Sequence, residues 1–498
     1  NDEQSLYYID KEFNFYAFHI PTQKNEFIAN LGKEIQERGK ISSIVHYHNS
    51  YFVGFLMDGI LLLEKQKETN HYQIQSLPIN SGVFCLKKDR FQDVVWIGTD
   101  GQGVYLYSNP LYSIKSMVLS NYTEKIERPV RASYLDDDRT FWVETKGNGI
   151  LKIYDYEFDK NISDCRAEVL TTSNSALSSN AVYCFAKSHR NLLWIGDEEG
   201  LTYYSYREKR IKSIPIRIGN EDFKYIHDIY ETADSELWLA SVGMGVVKAR
   251  IAGTPDNPVI VDAQRYIIND GELGSNYFFT IYAENEANLL FGNKGYGVFR
   301  YNETTNGLEP VSTHKYENMT LNNILAISKD SSNNYLFGTS YGLIKYTSET
   351  SYQLFNAKNG FLNNTIHAIL RNSSDNFWLS TNLGLINFDT KRNVFRSYGF
   401  GDGLKVVEFS DGAAFRDSRT GTLFFGGING VVAIRADGRP EQLYMPPVYF
   451  DKLSIFGEQY NLGEFLTRKK ETEVLNLQYD QNFFSVSFAS VDNLNGNN

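Results

Sequence analysis

The chain is short of the residues that would make it a cross-linked, metal-bound or helical protein. Its 498 residues include only three cysteines, Cys85, Cys165 and Cys184. Three thiols cannot build a disulfide framework, and their spacing is not that of metal ligands, so small disulfide scaffolds and zinc modules are excluded. Cys85 and Cys184 fall inside apolar strand-like segments, where a buried, inert thiol is expected. No apolar run is long enough to span a bilayer, and Asn1 does not open a leader pattern, so the sequence reads as a soluble piece excised from a longer chain. Lys and Arg total 49 against 60 Asp and Glu, a net charge of -11. No basic stripe of the kind phosphate contacts need is present, which argues against a nucleic-acid partner through this region. A local Lys/Arg cluster could still hold a small anion. Proline is scarce, at 11 residues, and segments of helical period are hard to find.

What the chain does have is aromatics, 14% of the total, with 34 Tyr and 33 Phe. That composition favours strands, and the expected class is all-β. The most legible stretch is 362–389, LNNTIHAILRNSSDNFWLSTNLGLINFD. Read with period two, it gives a strand at Ile366 to Leu370, a polar turn, a strand at Phe377 to Ser380, a turn ending in Gly384, and a strand at Leu385 to Phe388. A fourth strand follows at Val394 to Tyr398. One such sheet cannot cover both of its faces and needs copies on either side.

The copies are there. Similar cores recur at Phe52, Trp96, Trp142, Trp194, Trp238, Phe291, Phe337, Trp378 and Phe425. Their spacing of roughly 42 to 52 residues is that of propeller blades. Each core is followed by a Gly-terminated turn, as at Gly149, Gly245, Gly342 and Gly384. The opening SLYYID and FNFYAF match the last two strands of the unit, so the chain enters part-way through a blade. Repeats end near Ile434, and a strand entered through Pro446-Pro447 begins a different β pattern that ends in NFFSVSF (482–488).

The pattern L-x-x-N-x-[VI]-x-x-[IF], then [FL]-W-[IL]-[GS]-T, then G-L, resembles the two-component-regulator propeller repeat. Such repeats form the periplasmic sensor region of hybrid two-component systems in gut Bacteroidetes. EFSDGAAF (408–415), LFFGGING (423–430) and the diproline strand are similar to that family's last blade, and NFFSVSF resembles the start of its Tyr-rich Ig-like domain. The resemblance implies two seven-bladed propellers, an Ig-like domain, a transmembrane helix outside this region, and cytoplasmic kinase, receiver and DNA-binding modules. With about nine and a half blades present, residues 1–123 are expected to be the last blades of a first propeller. Residues 124–440 would form a complete second, seven-bladed one, and 441–498 the start of the Ig-like domain. A single larger ring is the alternative. The resemblance further implies an oligosaccharide ligand derived from a glycan, a homodimer, a periplasmic location in a bacterial inner-membrane protein, and control of polysaccharide-utilisation genes.

Catalytic patterns are weak. Gly338 to Gly342 (GTSYG) satisfies GxSxG, but an active nucleophile elbow needs a strand turning into a helix, and this pentapeptide joins two strands. There is no HExxH and no P-loop, and no cofactor or metal is expected; the acidic tip Asp136-Asp137-Asp138 reads as a solvated turn. Asn180, Asn276, Asn323 and Asn364 recur before first strands and read as turn residues bonding local backbone. Blades that depart from the pattern are better candidates for ligand binding. Arg128 and Arg131 stand at one such place, Lys224, Tyr225 and His227 at another, and His367 matches His227. Turns between second and third strands bring Lys146, Lys294, Tyr296 and Tyr341 to the same face. Aromatic faces with Lys and Arg suit a sugar, the rings covering its apolar side and the cations bonding hydroxyl or carboxylate groups. The region is thus expected to sense an oligosaccharide without enzymatic activity, the kinase lying elsewhere in the protein. The alternatives are a propeller lyase or glycosidase using paired carboxylates, and a protein-binding propeller.

Overall fold

The computed structural model describes residues 4–66, 71–90, 92–108, 112–119, 129–268, 276–311, 322–348, 350–436, 448–469 and 472–490. Arg128, one of the candidate ligand residues, and the Pro446-Pro447 pair lie outside the described residues. The chain divides into two compact units, residues 1–111 with 438–497, and residues 112–437.

Among the described residues of the second unit, seven four-stranded antiparallel sheets follow one another. Their first strands are Val130–Leu135, Val182–Lys187, Ile226–Glu231, Phe278–Asn285, Ile324–Lys329, Ala368–Arg371 and Phe409–Arg416, here blades one to seven. Second strands are covered on both faces and therefore read as continuous apolar runs rather than alternating ones. Trp142, Trp194, Trp238 and Trp378 stand at the centres of those strands in blades one, two, three and six, none more than 1% exposed.

Apolar clusters occupy every junction of adjacent blades around the unit. Trp142 and Leu193 meet between blades one and two, Trp194 and Leu239 between two and three, and Trp238 and Phe291 between three and four. Leu290 and Phe337 follow, then Leu336 and Phe377, then Trp378 and Phe425. The last cluster, with Val143 and Phe424, joins blade seven back to blade one. The unit is a closed ring of seven sheets, not part of one larger ring.

Closure depends on a strand from the other end of the sequence. Tyr112–Val118 pairs antiparallel with Gly430–Ala436 and completes blade seven. The ring therefore starts at Tyr112, ahead of the boundary at 124 expected from the repeats. The physical reason is that the outer edge of the last sheet would otherwise be unpaired. The two backbones approach so closely that a Cβ on Gly430 would stand 2.1 Å from the Met117 carbonyl oxygen. The turn into the third strand of blade six likewise demands glycine: Gly384 has φ +123°, and a Cβ there would meet the Tyr398 carbonyl oxygen at 2.1 Å.

The first unit contains three further sheets of the same kind. Ser5–Ile9, Asn14–His19 and Lys24–Asn30 form the first, so the chain enters with three strands rather than two. A four-stranded sheet runs from Ile41–Tyr47 to Tyr72–Ser76, and a three-stranded one from Val83–Lys88 to Val104–Ser108. Cys85, expected to be buried, is exposed, whereas Cys184 is buried. The difference is in what covers each strand. Cys184 lies under blade three, with Sγ 3.6 Å from the Ile226 carbonyl oxygen, while Cys85 is on the last of its three sheets. Further on, Val448–Ile455 pairs with Glu458–Tyr460 and Phe484–Ser490, and Leu466–Lys469 pairs with Thr472–Leu475.

Candidate functional site

The innermost strands of the ring share one irregularity. In blade one Val130 faces Thr145 and Ala132 faces Glu144, leaving Arg131 as an extra residue with no cross-strand partner. The same one-residue bulge leaves Tyr183, His227, Phe279 and Leu325 unpaired in blades two to five. In blade six the strand begins just after His367, and in blade seven the pairing skips from Phe409 to Ala414, past Asp411. A bulge re-aims its side chain out of the sheet's alternation. Repeated around a ring, it gathers one side chain per blade at the mouth of the channel.

Contacts between these residues show that they do converge. The Tyr183 and His227 rings stack at 4.4 Å with an interplanar angle of 20°, and Phe279 meets His227 edge-on at 5.6 Å. Between the neighbouring blades one and seven, Arg131 Nη1 lies 3.9 Å from Asp411 Oδ2. His367 Nδ1 is 2.5 Å from Asp411 Oδ1, and its Nε2 is 2.6 Å from Asn382 Oδ1. An aromatic platform thus adjoins an ionic cluster.

Electrostatics follow from the same packing. Burial, then the positive charges of Arg131 and Lys146, push His227 down to about 4, against an opposing pull from Asp411, so the imidazole is neutral at neutral pH. Burial would raise the Asp411 carboxyl, but its hydrogen bond with His367 and the charges of His367, Arg131 and His227 outweigh this and hold it below the usual range. Behind Arg131, Glu144 is fully buried and its carboxyl is pushed well above the usual range by desolvation, only partly offset by Arg131. Its carboxylate lies toward the backbone amides of Arg131 and Ala132 yet forms no well-shaped hydrogen bond. Arg131 thus pairs with the mouth carboxylate of Asp411, while its charge only partly offsets the desolvation of Glu144 behind it.

Three solved structures share this architecture over 98% of the chain. The extracellular domain of the putative hybrid two component system BT3049 from B. thetaiotaomicron superposes with a TM-score of 0.56 at 23% identity. That of BT4673 from the same organism gives 0.51 at 17%, and a second structure of BT4673, described as a putative one component system, gives 0.50 at 17%. The fold is a β-propeller array. The chain spans 64%, 64% and 63% of the length of those structures. No family model matches the sequence. No curated protein matches it either.

Within the propeller of residues 112–437, Arg131, Lys146 and His227 share one electrostatic neighbourhood. Tyr225 is 42% exposed and lies close enough to Tyr183 to add slightly to the upward shift that burial gives the Tyr183 hydroxyl. Lys224 is turned to Glu199, with Nζ 2.5 Å from Oε2. Lys294 is exposed, and its backbone N–H donates to the Tyr277 carbonyl. The rings of Tyr296 and Tyr341 pack, half-buried, against the junctions between blades three and four and between four and five. Tyr183, Phe279 and Asp411 escaped the sequence reading. Tyr183 and Phe279 follow the first apolar residue of an inner strand, as Arg131 and His227 do, and alignment on that residue would have found them.

Other expectations meet a local explanation. Asn180, Asn276 and Asn364 accept through Oδ1 from the backbone N–H groups of Thr172, Ile268 and Ala357. Asn323 instead donates to Ser340 Oγ at 3.1 Å. Ser340 sits between strands Tyr335–Thr339 and Gly342–Ser348, with no helix following. The acidic tip needs correction: Asp136 is 2% exposed and accepts from Trp142 Nε1 and the Thr140 N–H, so burying the indole carries the carboxyl inward with it.

Proposed function

We propose that this region is the ligand-binding extracytoplasmic part of a membrane-anchored two-component sensor, and that the mouth of the second propeller takes an oligosaccharide derived from a glycan. The observation that carries the reading is the ring of bulge residues, which sets a Tyr183–His227 stack, met edge-on by Phe279, beside Arg131, Asp411 and His367. A pyranose ring has an apolar face for such a platform and hydroxyls for the ionic cluster. Likeness to extracellular domains of hybrid two-component systems supports the sensor role. An Ig-like domain begun by residues 441–498, a homodimer, a histidine kinase and control of polysaccharide-utilisation genes belong to the same proposal. Signalling then requires the sugar to bind two arrangements of the sensor unequally.

A propeller glycosidase is the weaker reading. A general acid at the mouth would need a raised carboxyl open to the sugar; Asp411 is shifted the other way, and Glu144, which is raised, has no exposed surface.

Titration calorimetry with a panel of neutral and acidic oligosaccharides tests the proposal. Tyr183→Ala should weaken any ligand by about tenfold through loss of the stacking face. Arg131→Ala should weaken acidic ligands more than neutral ones. No heat across the panel, or unchanged affinity in both variants, would sink it.

A further inference from the structure

A cavity of 820 Å³ lies between blades one and two, running along their outer strands from the Asp136–Thr140 turn to Ser175 and Ser213. That is within the range of about 300–1,000 Å³ typical of small-molecule sites. Lys152 forms part of its wall and is 5% exposed. Three rings enclose its ammonium, Trp142 and Tyr204 with centroids at 4.6 Å and Tyr154 at 5.0 Å. Its hydrogen bond to the Tyr204 hydroxyl is long, at 3.4 Å. Among the described residues no carboxylate oxygen comes within the 4.0 Å of an ion pair. A buried ammonium has three donors to satisfy, and leaving them unanswered is unfavourable.

The ring supplies its own controls. Lys152 stands opposite Trp142 in the register of blade one, as Lys248 stands opposite Trp238 in blade three and Lys345 opposite Leu336 in blade five. Lys248 pairs with Glu236 at 2.9 Å. Lys345 donates to the Thr390 carbonyl at 2.6 Å and faces Asp330 at 3.9 Å. Only Lys152 of these three meets neither a carboxylate nor a carbonyl. The nearby acids take other donors instead: Asp136 accepts from Trp142 Nε1 at 2.8 Å, and Glu168 accepts from the Tyr154 hydroxyl at 2.6 Å through Oε2 alone.

We propose that this cavity binds a sugar acid, whose carboxylate pairs with Lys152 Nζ while its ring lies against Tyr154 and Tyr206 and its hydroxyls donate to Asp138 and Glu168. Half-buried tyrosine rings supply faces for C–H groups, carboxyl oxygens supply acceptors for hydroxyls, and the buried Lys152 ammonium supplies the anion's partner. Lys209, Arg210 and Arg166 add positive charge around the wall. Burial and the bond with Asp138 push Asp136 up to about 7, which trims the negative charge facing an anion.

Digalacturonate and its methyl ester, titrated into the protein, are the probes. The acid should bind and the ester should bind markedly less. Lys152→Met keeps the bulk of the side chain and should weaken the acid at least about thirtyfold, as expected when one partner of a buried charge pair is removed. Because a core substitution can disturb folding, Arg166→Glu at the exposed rim is the second variant, expected to weaken the acid while leaving the melting curve unchanged. No binding of digalacturonate to the unmodified protein overturns the proposal. So does equal affinity in a Lys152→Met protein that still melts cooperatively, or in Arg166→Glu.

Discussion

His227 is the residue whose surroundings say most about the mouth. It lies between Tyr183 and Phe279, under the field of Arg131 and Lys146, and titrates near 4 instead of 6.5. Its folded pKa is below its unfolded one, so as the solution is acidified the unfolded chain takes up the proton first. Stability is complete above pH 6.5 and is lost as pH falls toward 4, by up to about 1.4 kcal/mol per pH unit. Asp197 and Asp228, both pushed up to about 6 by burial, act in the opposite sense, losing stability as pH rises to that value. They are common to both proteins when the natural chain is compared with His227→Gln, so their effect cancels in the difference. Thermal unfolding from neutral pH to about 4 should show the natural protein losing stability faster than the variant. Parallel curves would mean that the imidazole is not held neutral.

At the scale of the element, the same strand can be plain in sequence and unreadable in partnership. Phe377-Trp378-Leu379 announces a core strand because both sheet faces are covered, and all three are fully buried. Tyr112–Val118 alternates like any fourth strand, and nothing in its own residues says that it pairs with Gly430–Ala436 rather than with the strand before it. The ring boundary was misread for that reason. The bulges were half legible: backbone geometry repeats from blade to blade, but the side chain it presents is free to vary. Arg131 and His227 stood out through charge, whereas Tyr183 and Phe279 passed for core aromatics. A chain of residues 112–437 should therefore melt as one cooperative unit. A chain of 124–437 loses the closing strand, with buried Met117 and Leu119, and should melt roughly 10 °C lower. Equal melting temperatures would show that the closing strand contributes nothing.

In the whole second unit, seven junctions form a closed circuit, and every sheet is held from both sides. Leu239 belongs to the cluster between blades two and three, and Leu385 to the one between six and seven, both without exposed surface. Replacing either by Ala should cost about 3 kcal/mol. Because the sites share no partner, the double variant should lose about the sum of the two. If closure couples the sheets, both changes lower one shared transition rather than creating an early one for the damaged junction. Denaturant unfolding followed by tryptophan fluorescence and by far-UV circular dichroism distinguishes the cases, since non-coincident curves would mean that blades unfold separately. The outcome bears on the mouth as well. Blades one to four, six and seven each contribute a contacting side chain there, so a ligand bound across it holds the circuit closed. At about a hundred times its dissociation constant a ligand should restore about 2.7 kcal/mol, and should do so equally in both leucine variants.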